Sequence, residues 1–305
     1  MTRRAGACFD PLAVIAPVAD ILEQLSREAY VADPAIATSL HLAQVLEKPL
    51  LVEGPAGVGK TEIAKALSAI LSADLIRLQC YEGLDAASAL YEWNYARQLL
   101  HIRLHEKNAS HATEAEIFSE PFLLKRPLLQ AIAHSGKPPV LLIDEIDRAD
   151  EEFEAFLLEV LSDLQVTVPE LGTLRANGRP RVVLTSNRSR ELSDALRRRC
   201  LYLWIDHPTF EKELSIVRRK VPGAGDALAA EIVGFVQRLR RAKVAKIPGV
   251  SETLDWAAAL VALHASKLDH AMVAETLGCV LKDESDLRKV RDEMEAGRLP
   301  LGATA

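Results

Sequence analysis

The chain has 305 residues, 49% hydrophobic and 26% charged, enough to bury a sizeable core in about two domains. Its net charge of −6 argues against a dominant nucleic-acid footprint, because phosphate binding needs a basic face. Cys8, Cys80, Cys200 and Cys279 stand far apart with no C-x-x-C pair, so they read as reduced thiols rather than a disulfide framework or a metal site. No apolar run approaches the roughly 18 residues of a membrane span. The basic start Met1-Thr2-Arg3-Arg4 is followed by Asp10 and two prolines rather than a signal-peptide core, so a cytoplasmic location is expected.

Residues 1–32 read as an N-terminal extension with one helix, on which Val18, Ile21, Leu22 and Leu25 share a face. Asp33-Pro34 then predicts an N-cap and a proline at the first helical position, with the helix running to about Glu47. Leu50-Leu51-Val52 is a short apolar run bounded by glycine and reads as a buried strand. Ile63, Ala64, Leu67, Ile70 and Leu71 follow at helical spacing. Further strands are predicted at Leu75–Leu78, Pro139–Ile143, Arg181–Thr185 and Leu201–Ile205, with helical patterns between most of them. Strands alternating with helices imply a parallel sheet covered on both faces. Phe153, Phe156, Leu157, Val160, Leu161 and Leu164 form an apolar helical stripe; the alternation of Leu164, Val166 and Val168 that follows resembles a β-hairpin insert. After His207-Pro208 the strand signals stop. Residues 33–208 therefore read as an α/β domain, 209–297 as a small all-helical domain and 298–305 as a tail.

The segment Gly54-Pro55-Ala56-Gly57-Val58-Gly59-Lys60-Thr61 lies between a predicted strand and a predicted helix. Backbone N–H groups at Gly57, Gly59 and Lys60 can wrap a β-phosphate because glycine accepts unusual φ/ψ values. The helix expected to begin at Gly59 aims its positive end at the same phosphates, and Glu62 follows in its first turn. Lys60 reaches β- and γ-oxygens, and the Thr61 hydroxyl suits Mg²⁺. The strand Val140–Ile143 ends in Asp144-Glu145, which puts two carboxylates at the sheet edge where ligands bind. Asp144 can hold Mg²⁺ through water, and Glu145 can polarise an attacking water. The fourth strand ends Thr185-Ser186-Asn187; Asn187 either faces the γ-phosphate or forms a turn. Arg197, Arg198 and Arg199 precede the fifth strand. They fit either a solvated helix end, favoured by the helix dipole, or a cation for a neighbour's γ-phosphate. Tyr91-Glu92-Trp93-Asn94-Tyr95 reads as part of a local core or as a partner contact, and His101, His105 and His111 read as surface residues.

Glycine loop, Asp-Glu strand, strand-end Asn, arginines before a fifth strand and a helical lid, in that order, resemble the AAA+ ATPases. The stretches E-I-D-R-A-D (145–150), F-L-L-E-V-L-S-D-L-Q-V-T-V (156–168) and Ile76-Arg77-Leu78-Gln79 resemble the MoxR group within them. R-L-Q-C-Y-E-G-L-D (77–85), Y-E-W-N-Y (91–95), T-S-N-R-S-R-E-L (185–192), R-R-R-C-L-Y-L-W-I-D-H-P (197–208) and S-E-T-L-D-W-A (251–257) are similar to the CoxD-like accessory ATPases. The resemblance implies a five-stranded parallel sheet of order 5-1-4-3-2 and ATP with Mg²⁺ at the loop. It also implies a homo-oligomeric ring, usually a hexamer, with Arg199 (or Arg198) as a trans arginine finger. Gln79 then matches the polar position that restrains the catalytic glutamate. The implied role is a chaperone-like ATPase in metalloenzyme maturation, linked to the copper–sulfur–molybdenum site of carbon monoxide dehydrogenase. Its partners would be a von Willebrand factor A-domain protein and a metalloenzyme client, without nucleic acid or an integral membrane segment. One departure stands out. Where such lids often carry a sensor-2 arginine, this chain reads Ser251-Glu252-Thr253, so Lys246 or Arg241 is the expected substitute.

Overall fold

The computed structural model describes residues 17–107, 113–242 and 244–301. Arg3, Arg4, Cys8, His111 and the ends of the predicted extension and tail lie outside the described residues.

Among the described residues nine strands occur in chain order: β1 (Leu50–Glu53), β2 (Leu75–Gln79), β3 (Tyr91–Trp93), β4 (Leu123–Lys125), β5 (Val140–Asp144), β6 (Gln165–Val168), β7 (Gly172–Arg175), β8 (Arg181–Ser186) and β9 (Leu201–Trp204). Five of them make the central sheet in the order β2-β5-β8-β1-β9, all neighbours parallel. Counted along the chain within that sheet, the order is 5-1-4-3-2, as expected. β1 and β5 are buried at every position, which is why both read as unbroken apolar runs ending in acids. Helices cover both faces. Ile63, Ala64 and Leu67 pack with Leu50, Val52 and Leu142 on one side, while Phe153, Leu157 and Leu196 pack with Leu141, Ile143 and Leu184 on the other.

Among the described residues two antiparallel strand pairs, one of them a hairpin, accompany the sheet. β6 and β7 form the insert predicted after the apolar helix, which runs Glu151–Asp163. β3 pairs with β4, and Trp93 sits edge-to-face on Tyr91 and Phe118. The aromatic cluster thus divides: Tyr91 and Trp93 belong to a local core, while Tyr95 is exposed. His101 and His105 are half-buried and lie against each other, not on the open surface as expected. Among the described residues no group of three or more His, Cys, Asp or Glu is arranged to hold a metal ion.

After β9 the chain is helical: Phe210–Lys220, Asp226–Arg241, Val250–Ala262, His270–Thr276 and Glu284–Glu295. Their core is separate from the sheet's and centres on Phe235 and Trp256. Inside it lies an ion pair. Arg240 donates from both terminal nitrogens to Glu213, at 2.6 and 2.7 Å, with both side chains buried. Among the described residues no helix is long and apolar enough to cross a membrane.

Three local details differ from the sequence reading. The helix after the glycine loop begins at Lys60, because Gly59 is its left-handed N-cap (φ +94°). The helix from Pro34 ends at Val45, short of Glu47. Asp33 precedes it in extended conformation but makes no side-chain cap; its carboxylate pairs instead with Lys212 of the first helix after β9.

Candidate nucleotide-binding and hydrolysis site

The loop between β1 and the helix Lys60–Leu71 floors a cleft of about 510 Å³ at the carboxyl edge of the sheet. Three parts of the chain meet there: loop residues Ala56 to Glu62, the strand-end residues Asp144, Glu145, Thr185 and Asn187, and Lys212, Ile216 and Lys220 from one face of the helix Phe210–Lys220. Tyr30 and Val31 add an apolar wall.

Lys60 is buried and its Nζ donates to the carbonyls of Gly54 (2.8 Å) and Pro55 (2.6 Å), so the buried charge is satisfied by the loop itself. Burial lowers its pKa, and the charges of Asp147, Asp144 and Glu145 oppose that shift. The loop's glycines have different reasons. Gly54 lies against the chain after β9: a Cβ there would stand 1.9 Å from the carbonyl oxygen of Ile205. Gly57 (φ +73°) lies under the lid, where a Cβ would meet the Ser251 hydroxyl at 2.6 Å and the Gly249 Cα at 3.1 Å.

Asp144 is 3% exposed and completely hydrogen-bonded. Its Oδ1 accepts from the Thr61 hydroxyl (3.0 Å) and the Thr185 hydroxyl (2.5 Å); its Oδ2 accepts from Arg77 Nε (3.0 Å) and a terminal Arg77 nitrogen (2.6 Å). Glu145 occupies a left-handed backbone position (φ 56°), which turns its side chain out of the strand direction. Its backbone N–H donates to Thr185 Oγ1 at 2.9 Å. Gln79 donates to one carboxylate oxygen at 3.2 Å, and Asn187 approaches the other at 3.5 Å. Arg148 pairs with it at 3.1 Å.

Five predicted site residues, Lys60, Thr61, Asp144, Glu145 and Asn187, therefore meet in one cleft. Mg²⁺ fits the donor set here. Thr61 spends its proton on Asp144 and keeps its lone pairs, and Mg²⁺ is typically held by one or two protein oxygens plus phosphates. Arg198 and Arg199 do not line this cleft. Arg199 donates to the Leu158 carbonyl (3.0 Å) and Ser162 hydroxyl (2.9 Å), while Arg198 extends from the surface.

Sequence reasoning missed several residues. Asp147 accepts from the backbone N–H of Asn187 (3.2 Å) and of Ser189 (2.8 Å), fixing the loop that presents Asn187. Burial pushes its carboxyl up, but the bonds from the Ser189 side chain, then from the Ser189 and Asn187 backbones, outweigh it, so its pKa lies below the usual range. The signal was a third acid two residues after Glu145. Arg77 stands two residues before Gln79, hence on the same face of β2.

The substitutes expected for the sensor-2 arginine are corrected. Neither Lys246 nor Arg241 lines the cleft; the lid cations there are Lys212 and Lys220. Thr253 is fully buried and donates to Glu213, so that stretch turns one residue into the lid core. What touches the loop is backbone: the N–H groups of Val250 (2.8 Å) and Ser251 (3.3 Å) converge on the Gly57 carbonyl. Gly57→Ala should therefore weaken nucleotide binding about tenfold, because a left-handed alanine costs about 1–2 kcal/mol and its methyl pushes the lid helix off the loop. Calorimetric titration with ATP checks it.

A glycine loop joining β1 of a parallel sheet to a helix, with an Asp-Glu pair at the carboxyl end of β5, separated from β1 by β8 alone, defines a P-loop nucleoside-triphosphatase fold. Residues 49–200 match the family model of the AAA domain, dynein-related subfamily. With the sheet order and the helical region that follows, this makes the chain an AAA+ P-loop protein. An uncharacterized protein of Staphylococcus haemolyticus, SH1500, is 25% identical over 261 residues, covering 82% of this chain and 90% of its own length. An uncharacterized protein of Staphylococcus aureus strain USA300 is 25% identical over 201 residues, 64% of this chain and 69% of its own. Among solved structures, the Thermotoga maritima RuvB Holliday junction branch migration motor aligns over 90% of this chain and 76% of its own, at 18% identity and a TM-score of 0.48.

Proposed function

We propose that this protein hydrolyses ATP with Mg²⁺ and uses the cycle, as a homo-oligomeric ring of the MoxR type, to remodel a partner protein during metalloenzyme maturation. The observation that carries hydrolysis is Glu145, held between Gln79 and Asn187 on the floor of the cleft that Lys60 and Thr61 line. In this reading Glu145 accepts the proton of the attacking water, and Asn187 orients the water or the γ-phosphate. Lys60 leaves the loop carbonyls for the phosphate oxygens. Thr61, and Asp144 through water, would hold Mg²⁺, which would supply neutralisation of phosphate charge when bound.

The ring reading is supported by Arg198 and Arg199, which do not line this chain's own cleft; in it, one of them reaches the γ-phosphate in a neighbour's cleft. Residues 209–297 act as the lid, gripping the loop by the Gly57 carbonyl and closing it with Lys212 and Lys220. The client class, the copper–sulfur–molybdenum site of carbon monoxide dehydrogenase or a related molybdenum hydroxylase, and the von Willebrand factor A-domain partner rest on the CoxD-like sequence stretches. A second reading is a nucleotide switch that binds ATP and scarcely turns over, favoured by the inward turn of Thr253 where a phosphate-reaching arginine would stand.

Steady-state phosphate release, measured together with mass in solution, separates the two. We expect release with Mg²⁺ and ATP, and a mass that rises from the 33.4 kDa chain to a closed ring. ATP binding without release would select the switch. Absence of both binding and assembly would remove both readings.

A further inference from the structure

We infer that Arg77 is a built-in competitor of the metal at Asp144, and that metal loading frees Glu145 by pulling Arg77 away from Gln79. This rests on the Mg²⁺–nucleotide reading of the cleft and adds a positioning residue to it.

A carboxylate oxygen offers two lone pairs. At Asp144 each oxygen already accepts two bonds, from Thr61 and Thr185 at Oδ1 and from the Arg77 fork at Oδ2. A metal-bound water donates its own proton, so it needs one of those four places. Thr61 need not leave, because its hydroxyl can donate to Asp144 while its oxygen faces the metal. Thr185 is 1% exposed and also receives the Glu145 N–H, which fixes it. Arg77 is the one that can yield: half its side chain is exposed, it has a flexible stem, and its positive charge is repelled by a divalent cation.

Its departure is not a local event. The same terminal nitrogen of Arg77 that grips Asp144 also donates to Gln79 Oε1, and Gln79 in turn donates to Glu145 Oε2 at 3.2 Å. Three consecutive contacts thus run from the metal-side carboxylate to the glutamate that would activate water. With Arg77 in place, Gln79 is clamped from one side and holds Glu145 from the other. With Arg77 displaced, Gln79 loses that clamp and Glu145 can turn toward the water. The molecule would then keep its base restrained until the metal has arrived.

The test is an Mn²⁺ titration of the ADP complex, with free Mn²⁺ read from its electron paramagnetic resonance signal. Arg77→Met should tighten Mn²⁺ about tenfold, the effect of removing one charge-assisted contact from the competing side. Arg148→Met removes an equal charge that touches Glu145 rather than Asp144, and should leave Mn²⁺ affinity within about twofold. Arg77→Lys keeps the charge without the fork and should fall between; it carries the test if Arg77→Met does not fold. Unchanged or weaker Mn²⁺ binding in the Arg77 variants, or equal tightening in Arg148→Met, overturns the inference. Failure of the wild-type protein to bind ADP at all would instead overturn the nucleotide reading on which it stands.

Discussion

Replacing Glu145 by glutamine should leave ATP bound and abolish turnover. The change preserves shape: glutamine can still accept the bond from Gln79, and the left-handed backbone at 145 is no harder for glutamine than for glutamate. What disappears is the ability to take a proton. General-base catalysis contributes about 10²–10⁴-fold, so phosphate release should fall by that factor, while ATP affinity should move by no more than about threefold. The affinity is set mainly by the loop and Lys60, which Glu145 does not touch. Loss of the carboxylate's pairing with Arg148 is a minor term, since that arginine is largely exposed. Rapid-quench phosphate release beside equilibrium binding of ATP measures both quantities. Turnover equal to the wild type would remove Glu145 from the chemistry.

The largest stability effect is expected far from the chemistry, at Arg240→Ala. Glu213 is completely buried, and its partners are Arg240, Gln237 and Thr253. Removing the arginine leaves a buried carboxylate with neutral donors only, and breaking such a pair from one side costs about 3–5 kcal/mol. For a protein of this size that is a fall in Tm of roughly 5–8 °C by calorimetry. Replacing both partners with apolar residues, as in Glu213→Leu with Arg240→Met, should cost much less, because no charge is left stranded. Arg240 has a second duty. Its Nε donates to the Pro248 carbonyl at 2.8 Å, two residues before the Val250 N–H that grips the Gly57 carbonyl. The single variant should therefore also weaken ATP binding, and the apolar double variant should not regain that part. If Tm and ATP affinity both stay at wild-type values, the lid is not held by this network.

Much of the architecture was legible along the chain because the signals are local. Leu50-Leu51-Val52 and Val140–Ile143 are apolar without alternation, as strands covered on both faces must be, and each runs into the residues that do its work. The helix Glu151–Asp163 showed its stripe and the hairpin its alternation. The boundary errors are small and have causes: Gly59 takes a left-handed turn that starts the helix one residue late, and Asp33 gives its carboxylate to Lys212 instead of its own helix. The histidines at 101 and 105 were misplaced because His101 packs on Phe122, some twenty residues away in the chain, and His105 packs on His101.

The sequence by itself determined the phosphate-binding loop, the acid pair, the strand-and-helix order and the all-helical region after it. Each is written in a contiguous run whose period or residue types fix one local conformation. Only the tertiary structure decided who meets whom. It put Arg77 on Asp144, Asp147 under the loop of Asn187, and Thr253 into the lid core. It also brought Lys212 and Lys220, not Lys246 or Arg241, to the cleft. Those partnerships join residues tens to more than a hundred positions apart, and a side chain's partner across such a distance is set by strand order and lid docking, which leave no periodic trace in the chain.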